Sequence, residues 1–112
     1  MHELSLCRSI EKIVRTNAGD RQVAVVELDV GELRQVVPST LKRCWALVCE
    51  STPLESSKLE IRRIPGVVEC ADCGARTTLT GAPILRCDSC GSTAVRVVSG
   101  DEFVVTALQL EV

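Results

Sequence analysis

The chain is poor in the groups that most function classes need. Among its 112 residues there is one histidine, one tryptophan, one phenylalanine and no tyrosine. Nucleic-acid bases would find almost nothing aromatic to stack on. An excess of positive charge is missing too: 13 Lys and Arg stand against 15 Asp and Glu, giving a formal net charge of -2 and a pI near 5.4. Affinity for a phosphate backbone rests on clustered cations, so a nucleic-acid surface is disfavoured. No apolar run approaches the roughly 20 residues of a membrane span. The first eighteen residues carry Glu3, Arg8, Glu11, Lys12 and Arg15 spread through them, which is not the pattern of a signal peptide. With histidine confined to position 2, no nucleophile has an evident base, and an enzyme is the least expected class. These absences leave a cytoplasmic globular protein that uses neither nucleic acid nor membrane, 46% hydrophobic and 25% charged.

Cysteine is what the chain has. Cys70 and Cys73 form one Cys-x-x-Cys pair and Cys87 and Cys90 a second, with thirteen residues between them. Four thiolates at this spacing match a closed tetrahedral zinc site, each pair forming a knuckle that turns both sulfurs inward. Gly74 and Gly91 follow the second cysteine of each pair, where the chain turns back under the metal and a Cβ is expected to be in the way. Two disulfides would suit a secreted protein, and a redox pair normally stands alone at the start of a helix. The duplicated pair around a polar loop favours structural zinc, and a closed four-thiolate site has no open position for catalysis.

Leu4, Cys7, Ile10, Ile13 and Val14 recur at helical spacing, predicting an amphipathic helix from about Glu3 to Asn17 with a stop at Gly19. Gln22 to Val30 reads as a strand with Val23, Val25, Leu28 and Val30 facing a core. Pro38 suits a first helical turn, Leu41, Cys44, Trp45 and Val48 form a stripe, and Pro53 prevents continuation. Leu59 to Ile64 is a second strand, stopped by Pro65-Gly66. Phe103 to Val112 is apolar and strand-like, and would be a sticky edge unless it joined the sheet of the two earlier strands. The expected fold is therefore α+β, two helices packed on a small three-stranded mixed sheet, with an inserted four-cysteine zinc-ribbon-like domain. Its boundaries fall at residues 1–66 plus 99–112 for the first domain and 67–98 for the second. The second is too small to fold without its metal. Cys7, Cys44 and Cys49 are read as packing residues, with a role for Cys7 left open.

His2 has its own chemistry. A bulky second residue is expected to protect Met1 from removal, so the Met1 amine, the His2 amide nitrogen and the His2 imidazole Nδ1 can chelate one ion through a five- and a six-membered ring. Such nitrogen-rich planar sets suit Ni(II) or Cu(II). Glu3 adds a further nitrogen or a nearby carboxylate.

The opening Met1-His2-Glu3-Leu4-Ser5-Leu6-Cys7, the segments Val30-Gly31-Glu32-Leu33, Thr52-Pro53-Leu54-Glu55 and Leu59-Glu60-Ile61, the two Cys-x-x-Cys-Gly knuckles, Gly91-Ser92 and Ser99-Gly100 together resemble the HypA/HybF family of [NiFe]-hydrogenase maturation proteins. The resemblance implies a nickel metallochaperone and not an enzyme. It implies nickel bound by His2, with Met1 and Glu3 contributing main-chain nitrogen, and zinc held by Cys70, Cys73, Cys87 and Cys90. It further implies transfer with a HypB-type GTPase to the hydrogenase large subunit, with urease as a second candidate recipient and a homodimer as a candidate assembly. Three stretches depart from the family pattern: Cys44-Trp45 stands where relatives often have Phe-Ala, and Ser51-Thr52 and Glu55-Ser56-Ser57 where they commonly have Gly-Thr and Glu-Gly-Ala. The competing readings are a zinc-stabilised adaptor, in which nickel plays no part, and a zinc-ribbon nucleic-acid factor, for which the basic face is missing.

Overall fold

The computed structural model describes residues 2–80 and 84–111. In chain order the elements are α1 (His2–Ala18), β1 (Val23–Gly31), a 3-10 turn (Glu32–Arg34), α2 (Pro38–Cys49), β2 (Lys58–Ile64), β3 (Val67–Cys70), β4 (Arg76–Thr78), β5 (Val95–Ser99) and β6 (Phe103–Leu110). The chain divides into two compact units.

The first comprises Met1–Asp29, Val36–Arg62 and Val104–Val112. Its helices pack on a mixed sheet of order β2-β1-β6. The main chain of Gln22 accepts from Glu111 N–H (2.9 Å) and Thr106 Oγ1 donates to the Glu27 carbonyl (3.2 Å), a pairing whose residue numbers run in opposite senses, so β1 and β6 are antiparallel. Cys7, Ile10, Val14 and Ala18 of α1, Val23, Val26 and Leu28 of β1, and Leu41, Trp45 and Cys49 of α2 make the core with Leu54 and Leu59. Its polar part is satisfied: Trp45 Nε1 donates to Ser57 Oγ (3.0 Å), which donates to the Leu54 carbonyl (2.6 Å). Pro38 opens α2 in its first turn, where the missing N–H costs nothing.

Three expectations need correction here. Ile13 is 48% exposed, because the inward stripe of α1 is the narrower set Cys7-Ile10-Val14-Ala18. On α2 the inward line is Leu41-Trp45-Cys49, with Cys44 and Val48 half-buried on its flank. In β1 it is Val26, and not Val25, that reaches the core: Val26, Leu28 and Val30 alternate, while Val23 stands out of phase with them. A one-residue irregularity moves every side chain beyond it to the other face, which no alternation rule anticipates.

The second unit comprises Val30–Gln35 and Arg63–Phe103. Its sheet has the order β4-β3-β5, antiparallel throughout, with Val68 opposite Thr77 on one side and Val97 on the other. At the base of this sheet three stretches of main chain are pressed together. Gly31 N–H donates to the Glu102 carbonyl (2.7 Å) and Leu33 N–H to the Gly100 carbonyl (2.9 Å). A Cβ on Gly31 would run into the Gly100 carbonyl, and one on Gly100, whose φ is +100°, into the Gly66 main chain.

Candidate metal centre and the exposed N-terminal turn

Each Cys-x-x-Cys pair is built by the same local bonds. Cys70 N–H donates to the Ala75 carbonyl and Gly74 N–H to the Cys70 carbonyl (2.9 and 3.0 Å); Cys87 N–H donates to Ser92 and Gly91 N–H to Cys87 (2.9 Å each). Gly74 and Gly91 have φ of +76° and +74°, with nothing within 4 Å of where a Cβ would stand. Glycine is required there for the sign of φ and not, as the sequence reading had it, for space. Cys70 and Cys87, the first of each pair, are buried, and Cys73 and Cys90 lie at the surface.

All four sulfurs lie within 4.8 Å of one another, with Cys70–Cys90 at 3.6 Å and Cys73–Cys87 at 3.5 Å. A tetrahedron with metal–sulfur bonds of about 2.3 Å has edges of about 3.8 Å, so the cluster fits a four-thiolate ion without rearrangement of the knuckles. The thiols are already polarised. The Cys90 N–H, helped by that of Ser89, brings the Cys87 thiol down to about 6. The Cys70 thiol is lowered by the N–H groups of Cys73 and Asp72. Cys90 has the Ser92 N–H beside it, yet the Cys70 sulfur pushes its thiol up to about 12. One anion per pair is stabilised by main-chain dipoles, and a dication is what brings in the others. The Ser92 hydroxyl donates to Asp72, joining the two knuckles, and Asp88 N–H donates to Thr77 Oγ1 (3.1 Å), joining the second knuckle to β4. These orienting residues were not among the sequence expectations; only proximity to the knuckles could have marked them.

At the other candidate position, His2 is exposed on the first turn of α1. Met1, the third member of the expected nickel set with Glu3, lies outside the described residues. The Glu3 carboxylate faces α2: Val37 N–H donates to Oε2 at a long 3.4 Å, and Glu3's own N–H, then that of Val37, hold its carboxyl below the usual range. Among the described residues the four cysteines are the only group of three or more side chains able to hold a metal ion. The first four N–H groups of a helix have no intrahelical acceptor, so the amides at residues 2 and 3 can give up their protons to a metal without breaking the helix.

The remaining cysteines are packing groups. Cys7 donates to the Leu41 carbonyl (3.3 Å), and burial, with Cys44 and Cys49 nearby, pushes its thiol up to about 12; burial and Glu11 push Cys49 up to about 11. No described helix is long and apolar enough to cross a membrane.

Comparison with known proteins follows the same lines. A family model described as "Hydrogenase/urease nickel incorporation, metallochaperone, hypA" matches residues 1–110. Hydrogenase maturation factor HypA of Geobacter metallireducens is 39% identical over 111 residues, covering 99% of this chain and 100% of that protein. The factor of the same name from Chloroflexus aurantiacus is 37% identical over 112 residues, covering 97% and 98%. Among solved structures, that of the Ni metallochaperone HypA from Helicobacter pylori superposes with a TM-score of 0.64 at 21% identity, over 96% of each chain, a likeness of fold.

Proposed function

The chain belongs to the HypA family of nickel-incorporation metallochaperones that act in hydrogenase maturation, maturation factors and not enzymes, and on that premise we propose that it carries one Ni(II) at its N-terminus. The ligands are the His2 imidazole Nδ1, the His2 amide nitrogen and the Met1 amine, with Glu3 contributing main-chain nitrogen. The observation that carries this reading is the exposed His2 at the free-amide end of α1. That position also keeps the carrier labile. The positive end of the helix dipole opposes a cation, and each amide proton displaced partly offsets it, so affinity falls as the medium becomes more acidic. Copper(II) would bind the same nitrogens more tightly, so selectivity rests on metal supply and docking.

Cys70, Cys73, Cys87 and Cys90 hold zinc in this reading, as a structural ion with all positions taken by protein. The division of labour follows residues 1–66 with 99–112 for nickel and 67–98 for zinc. Nickel passes with the help of a HypB-type GTPase to the hydrogenase large subunit in the cytoplasm, with urease as a second recipient and a homodimer as the working assembly. The test is a calorimetric Ni(II) titration of zinc-loaded, untagged protein beside His2→Ala. One nickel per chain, lost in the variant while zinc stays bound, is the expected result. Equal uptake by both proteins, or by neither, would remove the His2 site and put the nickel-independent adaptor first.

A further inference from the structure

Charge is unevenly placed on the first unit. Its two helices carry five cations, Arg8, Lys12, Arg15, Lys42 and Arg43, against two carboxylates, Glu3 and Glu11, in a chain whose formal net charge is -2. Both carboxylates are half-buried and taken up, Glu3 by the Val37 N–H and Glu11 by Arg15 at 3.4 Å. Among the described residues Arg8, Lys12, Lys42 and Arg43 are exposed, and none has a carboxylate within ion-pair distance.

Two contacts fix how the helices lie. Val37 N–H donates to the Glu3 carboxylate and Cys7 to the Leu41 carbonyl, each pair 34 positions apart, so α1 and α2 run parallel and in step. Arg8 therefore stands at the height of Lys42 and Arg43, and Lys12 at that of Ala46 and Leu47. Residues four apart share one side of a helix, so Arg8 with Lys12 and Arg43 with Leu47 form two exposed stripes on neighbouring helices. Lys42 lies on the other flank of α2, lining a cleft with Ile61 and Arg62 of β2. Apolar groups are open on the same face: Leu47 is 65% and Val37 50% exposed. His2 stands at its N-terminal end, with Arg8 about 9 Å and Lys12 about 15 Å further along α1.

A protein site that accepts a divalent ion presents deprotonated thiolates or carboxylates, whose negative charge is uncompensated until the ion arrives. Cargo held at His2 has to be brought to such a site, and the unpaired charges nearest to His2 on the helix pair have the complementary sign. We propose, building on the carrier reading of His2, that Arg8, Lys12, Arg43 and Leu47 form the docking face for the nickel recipient, engaging an acidic and apolar surface beside its vacant metal site. Attraction of this kind acts mainly on encounter, raising the association rate and making it fall with salt. Leu47, fully accessible between the cations, supplies the apolar contact that holds the complex once formed. A nucleic acid would find no aromatic platform here, since Trp45 points into the core.

The test is the rate at which the zinc- and nickel-loaded full chain binds the nickel-free hydrogenase large subunit, measured by surface plasmon resonance at about 50 and about 300 mM salt. Wild-type association is expected to slow with salt. Arg8→Glu combined with Arg43→Glu should slow it roughly ten-fold or more at the lower salt and remove the salt dependence. Lys58→Glu combined with Arg63→Glu makes the same change of net charge on β2, where both cations are exposed and unpaired, and should leave the rate within about two-fold. Leu47→Ser should speed dissociation several-fold, with the Trp45 circular-dichroism band unchanged. Calorimetric Ni(II) uptake is expected to stay at the wild-type level in every variant, so a failure of the docking face and a failure of the carrier reading appear in different measurements. No binding to the large subunit, an effect of the β2 pair as large as that of the helix pair, or equally salt-sensitive binding to phosphatidylglycerol vesicles or a duplex oligonucleotide would overturn the proposal.

Discussion

Removing the metal from the four-cysteine centre should melt one unit and spare the other. Among the described residues of Arg63–Phe103 the fully buried apolar side chains, cysteines aside, come down to Val68. One such side chain contributes about 1.5–3 kcal/mol. Ordering some forty residues costs at least about 1 kcal/mol each in backbone entropy alone. The β4-β3-β5 ladder recovers part of this, but each hydrogen bond nets only about 1 kcal/mol. A four-thiolate zinc contributes on the order of 10–16 kcal/mol, which makes it the decisive term. The other unit has thirteen buried apolar side chains among its described residues and needs no metal to hold them. The assay is chelation with a high-affinity zinc chelator, followed by amide exchange and near-ultraviolet circular dichroism. Trp45, the sole tryptophan, lies in the first unit and hydrogen-bonds Ser57 there, so its band reports that unit alone. The amides of Cys70, Gly74, Cys87 and Gly91 should lose protection while the Trp45 band persists. Retained protection at those amides, or loss of the Trp45 band along with them, would refute this reasoning.

Ser57→Ala strips the acceptor from the buried Trp45 N–H and should cost about 1–3 kcal/mol in urea unfolding; a loss under 0.5 kcal/mol would mean the indole finds another partner. Gly100→Ala meets both a positive φ and the Gly66 main chain, and should destabilise the second unit by more than about 2 kcal/mol, read as faster exchange at Leu33; unchanged exchange there would show that the crossing can relax. Above pH 9 the protein should lose stability. Cys7 and Cys49 are raised from the ordinary 9.0 to about 12 and about 11, so the native state holds on to protons that the unfolded chain releases. Their contribution is whole below pH 9 and fades as pH rises toward 12, at about 1.4 kcal/mol per thiol per pH unit; Cys7→Ala should flatten the fall in Tm between pH 8.5 and 10.5, and an identical fall would assign it to other groups.

The metal centre was legible because its information is local. Two pairs of cysteines two residues apart, each followed by glycine, specify knuckles whose bonds close within six residues, from Cys70 to Ala75 and from Cys87 to Ser92. The helices and the three strands of the first sheet were legible for the related reason that their apolar spacing is regular over many residues. What failed depended on distant partners or on a single slip of register. Val25 and Val26 are equally apolar, and only the irregularity in β1 decides which one reaches the core. By sequence residues 30–35 simply fall within the first domain, drawn at 1–66, yet they cluster with the second unit, where Gly31 and Leu33 bond Glu102 and Gly100, residues that are remote in sequence.

Trp45 and Ser57, twelve positions apart, account for each other once the fold is known. Read separately in the sequence, Trp45 and Ser57 look like two unrelated packing residues. A buried tryptophan carries an N–H that has to be satisfied, and a buried serine has a hydroxyl with the same need. The structure puts them 3.0 Å apart, with the Leu54 carbonyl taking the serine proton, so the pair together leaves no polar atom orphaned. The indole N–H depends on Ser57, whereas the serine proton has the Leu54 carbonyl in either case, and the Ser57→Ala measurement above is also the test of that coupling: in a Trp45→Phe background, where no N–H is left to satisfy, the same substitution should cost less, by the part of its effect that belongs to the indole.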